Sequence, residues 1–340
     1  MPASLPRTTK ALVLQKTTTG RPPVLYDAVV QEQPILALKP GEVLVKIGAV
    51  SFNRRDFWMR RGLYPRIIDG STFGSDGSGT VIASADPADP LLARRVFLTP
   101  MRGWESDPTG PESEFGILGG GSVPPIGTLT EYVVVPRREV IPTPAHVSDE
   151  QIAAWPLGGL TAWRAIALAQ ISRGDTVLIT GIGGGVAILA LQICVAMGAV
   201  VYVTSGSQQK IDKAVKLGAM GGVRYTEVID SGGDEIMGKI SKYLRAGGRV
   251  VCYGMTAGPT ISMTMREVMR GQQLIGTLMG SRADMVDATN FLAEHKIVPV
   301  VAAVLHGFAA AEDGFKMMEK GSQFGKIVLK LGEASVKANL

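Results

Sequence analysis

The chain has 340 residues, of which 46% are hydrophobic and 19% are charged. It is long enough for two domains and too apolar for intrinsic disorder. Its net charge of +5 is scattered without a basic run, which argues against a nucleic-acid groove and suits an anionic small ligand such as a phosphorylated cofactor. Two cysteines exclude a disulfide framework and a four-cysteine zinc site, and they fit a reducing compartment.

Targeting signals and membrane spans are not predicted. Residues 1–10 contain no apolar signal segment, so we expect a cytoplasmic protein. The longest apolar stretch, 186–203, contains Gln192 and Gly198 and divides into a helix and a strand. We therefore predict no membrane-spanning helix.

The first part of the chain is rich in predicted strands. Short apolar runs bounded by Pro and Gly predict strands at 10–14, 42–50, 79–83, 95–98 and 129–135. A stretch rich in Gly, Pro, Ser and Glu predicts a long surface loop over 100–125. A helix-start signal at 148–151 opens an apolar helical pattern that continues to residue 170.

From residue 175 strands alternate with helices. We predict strands at 176–180, 200–203, 228–230, 249–253 and 273–277, and helices at 188–197 and 207–217. From about residue 287 a helix and short strands complete the chain, ending in a strand at 326–330. This alternation is typical of an α/β domain with a parallel, doubly wound sheet.

A glycine-rich turn at 181–187 lies directly between a predicted strand and a predicted helix. In that setting glycines let backbone N–H groups approach a pyrophosphate at the N-terminus of the helix. One register of the motif runs from Gly181 to Val186, and the other ends at Ala187. We favour the second register because its last residue is small, so the candidate cofactor-binding residues are Gly183, Gly184, Gly185, Val186 and Ala187. The alternative is a turn without a ligand.

The end of the second strand of this domain bears on the choice of cofactor. NAD sites carry an acidic residue there, whereas this chain has Thr204 and Ser205, with Lys210 one helical turn later. Hydroxyls and a cation suit a 2′-phosphate, so we expect NADP(H). Tyr225 and Arg224 are weaker candidates for the same pocket, and Lys210 has the alternative of an ordinary solvated lysine.

Several segments together resemble the medium-chain dehydrogenase/reductase superfamily, in its zinc-free branch close to quinone oxidoreductases. They occur in the family's order at 41–46, 53–56, 61–65, 74–77, 160–163, in the glycine turn, and at 324–329. The resemblance implies a GroES-like β-rich catalytic domain formed by 1–147 and 286–340, with a Rossmann NADP(H)-binding domain inserted at 148–285. It also implies a substrate cleft between the domains, and a homodimer.

The resemblance raises the question of zinc. Zinc-dependent members carry a ligating Cys where this chain has Asn53, and a His-Glu pair where it has Ser75 and Asp76. Asn and Ser are poor zinc ligands beside Cys and His. The lobe that holds structural zinc in relatives corresponds to 100–125, which contains no cysteine, and the three histidines have no ligand spacing. We therefore expect no metal.

Without a metal, reduction of a plain carbonyl lacks a Lewis acid, and no Tyr-x-x-x-Lys proton relay is found in the sequence. Quinones and α,β-unsaturated carbonyls need less assistance, because the charge left by hydride addition spreads over a conjugated system. We therefore predict hydride transfer from NADPH to such a small-molecule acceptor. An enoyl reductase that serves a biosynthetic pathway in trans has the same chemistry.

The resemblance also implies roles for particular residues. Asn53 and Tyr64 would hydrogen-bond the substrate oxygen or the nicotinamide ribose, and Trp58 would form an apolar wall, with core packing as its alternative. For Asp56 we predict a structural carboxylate paired with an arginine. The residues that correspond to stretches beside the cofactor are Gly254, Met279, Gly280, Ser281 and Lys326.

One segment departs from the family pattern. Almost nothing separates the apolar run 222–225 from the predicted strand 228–230, whereas a parallel crossover needs at least roughly 10–12 residues. Three explanations are open. The chain lacks the helix that relatives have there, or 222–225 is not a strand, or the connection between the strands is rebuilt in another way. The shortening near 226–228 therefore leaves open a cofactor-binding protein with little or no turnover.

Overall fold

The computed structural model describes residues 5–18, 22–224, 235–254, 258 and 260–332, which form two compact units. The first unit contains the chain up to Leu157 and again from Val298, and the second contains Gly158–Ile297. The division falls after 157 rather than after 147 because helix 149–153 packs on strands of the first unit.

Strands dominate the first unit. In chain order its elements are β1 (Thr8–Lys16), β2 (Tyr26–Pro34), β3 (Glu42–Ser51), α1 (Arg54–Arg60), β4 (Asp76–Ser84), β5 (Arg95–Leu98), β6 (Met101–Arg102), β7 (Gly116–Ile117), β8 (Tyr132–Pro136), β9 (Val140–Pro142) and α2 (Asp149–Ala153).

Helices and strands alternate in the second unit, and the chain then returns to the first. The elements are α3 (Pro156–Ala169), β10 (Thr176–Ile179), α4 (Gly185–Ala196), β11 (Val200–Ser205), α5 (Gln208–Lys216), β12 (Gly221–Arg224), α6 (Ile236–Ile240), β13 (Arg249–Cys252), α7 (Met265–Met269), β14 (Gln273–Gly276) and α8 (Arg282–Glu294). The returning segment forms β15 (Val301–His306), α9 (Ala311–Lys320) and β16 (Lys326–Lys330). No described helix has the length and apolarity needed to cross a membrane.

The main sheet of the first unit joins the two ends of the chain. Its strand order is β15-β16-β3-β4-β5-β9, and β8 also pairs with β3. The antiparallel registers set Val328 opposite Ser51, and Ser51 opposite Asp76. Residues at the start of β16, the end of β3 and the start of β4 therefore meet at one end of the sheet.

The second unit has the parallel α/β architecture that the alternation predicts. Strands β10, β11 and β12 pair in parallel in that order, and β13 pairs in parallel with β14. Because β12 pairs in register with β11, the explanation that 222–225 is not a strand is wrong for its described residues. The predicted strand 228–230 and the short connection at 225–230 lie outside the described residues.

The two faces of the β10–β12 sheet differ in exposure. A Cβ added at Gly222 would lie 2.5 Å from Ile211 of α5 and 3.0 Å from Val203 of β11, so helix α5 covers this face. Leu178 and Tyr202 point to the other face, where they are 48% and 43% exposed. Parallel sheets are ordinarily covered on both faces, so this apolar exposure is unusual.

Several predicted boundaries change in the structure. The helical pattern 148–170 is two helices, since Pro156 cannot donate a backbone N–H and begins α3 instead. The helix predicted from residue 287 begins at Arg282, because Ser281 and Asp284 form a capping box there. The strand predicted at 129–135 runs over Tyr132–Pro136.

The predicted loop 100–125 has internal order. Strands β6 and β7 pair within it. The Glu112 carboxylate accepts backbone N–H bonds from Ser106, Glu105 and Asp107 at 2.6–2.7 Å, and these bonds lower its pKa to about 2. The Glu112 carboxylate therefore orders the backbone of residues 105–107 within this segment.

Candidate active site

A buried carboxylate connects the strand ends that meet in the first unit. Asp76 is fully buried, and its Oδ2 accepts hydrogen bonds from Ser51 Oγ at 2.9 Å, Asn53 Nδ2 at 2.9 Å and Lys326 Nζ at 3.0 Å. The backbone N–H of Leu157 donates to Asp76 Oδ1 at 2.8 Å. These donors and the ammonium charge compensate the loss of solvent around the carboxylate.

Asn53 and Lys326 lie together in this cluster. Lys326 Nζ donates to Asn53 Oδ1 at 2.5 Å, and the two residues are 7% and 6% exposed. The family resemblance implies a place beside the cofactor for Lys326 and in the substrate cleft for Asn53. The pairing of β16 with β3 brings them into one hydrogen-bonded group.

Asp56 is a structural carboxylate at the start of α1. Its Oδ2 accepts the backbone N–H of Asn53 at 2.8 Å and caps the helix, a contact that the sequence did not predict. Its Oδ1 meets no hydrogen-bond donor among the described residues. Burial raises the pKa of Asp56 to about 6, although the charges of Arg55 and Lys326 oppose the shift.

Trp58 lies in α1 of the same unit, and Tyr64 follows that helix. The Arg55 guanidinium lies 4.8 Å from the centre of the Tyr64 ring, and its Nη1 donates to Ser75 Oγ at 2.7 Å. Trp58 is half-buried, packs edge-on against Phe57 at 5.1 Å between ring centres, and joins the apolar core. Core packing is thus observed for Trp58, and its role as a substrate wall stays a prediction.

The residues at the expected zinc position do not fit zinc. The Lys326 ammonium already lies within hydrogen-bond distance of Asn53 Oδ1 and Asp76 Oδ2, so a second cation there would be repelled. Ser75 Oγ accepts from Arg55 and donates to the carbonyl of Leu118. Among the described residues no group of three or more His, Cys, Asp and Glu side chains could hold a metal ion.

In the second unit, the glycine turn leads from β10 directly into α4. Gly181 and Gly183 have φ values of +64° and +130°, which side-chain-bearing residues rarely adopt. Gly184 is the N-cap, so α4 begins at Gly185 rather than at the predicted residue 188. The N–H groups of the first helical turn have no partner within the helix, and this geometry fits a pyrophosphate.

Lys210 and Thr204 both lie beside this turn. A Cβ added at Gly183 would come 3.2 Å from Lys210 Nζ, so the lysine side chain extends back from α5 to the glycines. Thr204 is buried, and its Oγ1 accepts the N–H of Gly181 at 3.2 Å. Thr204 therefore holds the turn in shape, while the Ser205 hydroxyl accepts the N–H of Ser207 at 3.1 Å.

The remaining predicted cofactor residues differ in their surroundings. Met279 is buried, has φ of +58° and accepts a long contact from Thr161 Oγ1. The Ser281 hydroxyl caps α8 by accepting the backbone N–H of Asp284 at 3.0 Å, and it donates to Asp284 Oδ2 at 2.9 Å. Gly254 is exposed just after β13, and Tyr225 lies outside the described residues.

Sequence reasoning missed the central position of Asp76 and the contribution of Ser51. The sequence does contain one signal of a buried ion pair. Lys326 and Asp76 each begin a strand whose following residues are mostly apolar or small. A charged residue at the start of a buried strand requires a partner of opposite charge. Only the strand register identifies that partner.

Two family models match the chain. Residues 39–145 match the alcohol dehydrogenase GroES-like domain, and residues 185–294 match the zinc-binding dehydrogenase domain. The chain is 39% identical over 328 residues to a zinc-type alcohol dehydrogenase-like protein, YogA, of Leptosphaeria maculans, covering 86% of this chain and 91% of the relative.

Two further comparisons agree with that family. An acryloyl-coenzyme A reductase of Metallosphaera sedula is 28% identical over 309 residues, covering 85% of this chain and 92% of the relative. The crystal structure of an NAD-dependent alcohol dehydrogenase superposes with a TM-score of 0.81 and 28% identity, covering 95% of this chain and 100% of that one. Because colinear family matches and a relative at 39% identity span most of its length, the chain belongs to the medium-chain dehydrogenase/reductase superfamily, with a GroES-like domain and a Rossmann-like domain.

Proposed function

We propose that the protein is an NADPH-dependent, zinc-independent oxidoreductase that transfers hydride to an α,β-unsaturated carbonyl or a quinone. The observation that carries this proposal is the Lys326 ammonium, hydrogen-bonded to Asn53 and Asp76 where zinc-dependent relatives hold their metal ligands. The match to a zinc-binding dehydrogenase family thus describes the fold of this chain better than its chemistry.

We infer the acceptor class from a site whose residues do not fit zinc, the Lewis acid of zinc-dependent relatives. Hydride addition to a plain ketone leaves a localised alkoxide, which a metal or a strong proton donor has to stabilise. Addition to a conjugated acceptor leaves a delocalised anion that one or two fixed hydrogen-bond donors can stabilise. The acryloyl-coenzyme A reductase relative favours an enoyl-type acceptor over a quinone.

The cofactor choice rests on residues of the second unit. The first-turn N–H groups of α4 would bind the pyrophosphate, and Lys210 supplies a cation beside them. The end of β11 carries Thr204 and Ser205 without a carboxylate, which favours NADPH over NADH. When bound, the nicotinamide supplies the hydride, and the protein contributes orientation and exclusion of water.

The test is a comparison of acceptors and coenzymes with the purified protein. We expect oxidation of NADPH with crotonyl-CoA and 9,10-phenanthrenequinone, little oxidation with a plain ketone, and no effect of a chelator. Zinc should be far below one ion per chain by elemental analysis. Ketone reduction that a chelator abolishes and zinc restores would overturn the proposal, and NADPH binding without turnover would favour the binding-protein alternative.

A further inference from the structure

The amide of Asn53 is held in one orientation by two neighbours of opposite chemistry. A lysine ammonium has donors only, so the Asn53 atom 2.5 Å from Lys326 Nζ must be the acceptor Oδ1. The Asp76 carboxylate has acceptors only, so the atom 2.9 Å from its Oδ2 must be Nδ2. The two contacts are mutually consistent, and a rotation of the amide by half a turn would break both.

This orientation leaves Asn53 with a spare donor. Nδ2 carries two N–H groups, and one of them donates to Asp76. The backbone N–H of Asn53 is taken by Asp56, and Oδ1 is taken by Lys326. Within the described part of the first unit, no acceptor is assigned to the second Nδ2–H.

We propose that Lys326 and Asp76 are positioning residues that turn the spare Nδ2–H of Asn53 toward the substrate oxygen on which negative charge develops. This inference rests on the proposed function. Enone reduction would transfer hydride, with its electron pair, from NADPH to the β-carbon and leave NADP⁺. The C=C π pair would form a new double bond between the α-carbon and the carbonyl carbon, and the C=O π pair would move onto the oxygen. Solvent would then protonate the resulting enolate at its α-carbon. A donor held in place before the reaction stabilises that oxygen without reorganising.

The alternative orientation would be harmful. If the Asn53 amide rotated by half a turn, it would present Oδ1 instead of Nδ2 to the substrate oxygen. The partial negative charges of these two oxygens would then repel each other. Lys326 excludes this orientation because its ammonium would then face an N–H group. Lys326 therefore acts on the reaction through Asn53. Replacing Lys326 should have little effect on kcat in a variant whose residue 53 has no amide.

The kinetic test is a double-mutant cycle between Lys326 and Asn53. We expect Asn53→Ala to lower kcat for crotonyl-CoA by roughly 100-fold, and Lys326→Met to lower it by about 10-fold or more. In the Asn53→Ala background, Lys326→Met should have little further effect. Lys326→Arg should restore most of kcat, and the affinity for NADPH should stay within about twofold throughout.

Two controls separate the proposed role of Lys326 from a loss of folding stability and from a general effect of removing a lysine. Lys326→Met leaves the Asp76 carboxylate buried without its cation, so the pair Asp76→Asn with Lys326→Met provides a variant that removes both charges. Lys330→Met is the matched surface control, because Lys330 lies on the same strand and is 51% exposed. We expect that control to behave like the wild type.

A binding measurement keeps the inference independent of turnover. The probe is 4-nitrophenolate, whose oxygen carries a delocalised negative charge like that of an enolate, with NADP⁺ present. We expect it to bind the wild type, and Asn53→Ala and Lys326→Met to weaken its binding by a similar factor of about ten.

Several outcomes would overturn the inference. They are additive effects in the cycle, a loss of NADPH affinity in Lys326→Met with unchanged kcat, and absence of phenolate binding to the wild type. A wild type that binds the phenolate through Asn53 and Lys326 but reduces no conjugated acceptor would instead contradict the proposed function alone.

Discussion

The side chain of Lys210 lies against Gly183, so closely that a Cβ added at Gly183 would come 2.8 Å from Lys210 Cδ and 3.2 Å from its Nζ. The two residues belong to different elements, since Gly183 precedes α4 and Lys210 is in α5. The glycine turn and the lysine thus form one corner, which combines backbone donors with a positive charge. Both properties suit a phosphate-bearing ligand.

Gly183→Ala should damage both stability and cofactor binding. With φ of +130°, an alanine at this position is strained by about 1–3 kcal/mol, and its Cβ displaces Lys210. We expect urea unfolding to show that loss, and fluorescence titration to show NADPH binding weakened more than about tenfold. Gly184→Ala is the matched control for backbone strain and for displacement of Lys210, because Gly184 has φ of −74° and open space for a Cβ.

Lys210→Ala should distinguish the two coenzymes. A charge-assisted hydrogen bond to a 2′-phosphate contributes about 1.5–3 kcal/mol, so the Kd for NADPH should rise by about 10–100-fold while that for NADH changes little. Lys216→Ala, an exposed lysine on the same helix, should change neither. Equal losses for NADPH and NADH would mean that Lys210 contacts the pyrophosphate beside Gly183 instead.

Asp56→Asn should change how stability depends on pH. The pKa of Asp56 is about 6 in the folded protein against 3.8 in the unfolded chain, so the folded state holds its proton more tightly. This carboxyl therefore stabilises the fold at low pH and loses about 3 kcal/mol of that contribution as pH rises through 6. An amide has no such titration, and its oxygen can still accept the N–H of Asn53.

The measurement for Asp56 is the free energy of unfolding by urea at several pH values from about 4 to 7. We expect the wild type to lose stability relative to Asp56→Asn as pH rises across that interval. Parallel curves for the two proteins would show that Asp56 is ionised at an ordinary pKa.

The exposed face of the β10–β12 sheet leads to a prediction about packing. Tyr202→Thr keeps a strand-forming residue on a surface position that is 43% exposed, so it should cost no more than about 0.5 kcal/mol. Val203→Ala, one residue later on the fully buried face, should cost roughly 1–3 kcal/mol. Equal costs in urea unfolding would mean that something covers Tyr202 in solution.

The sequence alone supported most of the fold. The alternation after residue 175 predicts a parallel α/β domain, and the structure confirms it through β10–β14. The position of the glycine turn between a strand and a helix was also readable, because glycine spacing and flanking apolar runs are local properties. Elements without a clear period, such as β2 and the short helices α6 and α7, were not predicted.

The composition of the candidate site was decided by tertiary structure. Asn53 and Lys326 are 273 positions apart, and nothing in either local sequence indicates that they share a hydrogen bond. The local sequence likewise does not indicate that the Thr204 hydroxyl accepts the N–H of Gly181 and so supports the glycine turn. Local periodicity determines which residues form strands and helices, but antiparallel register across the sheet determines which buried charges meet, and register depends on the packing of the whole domain.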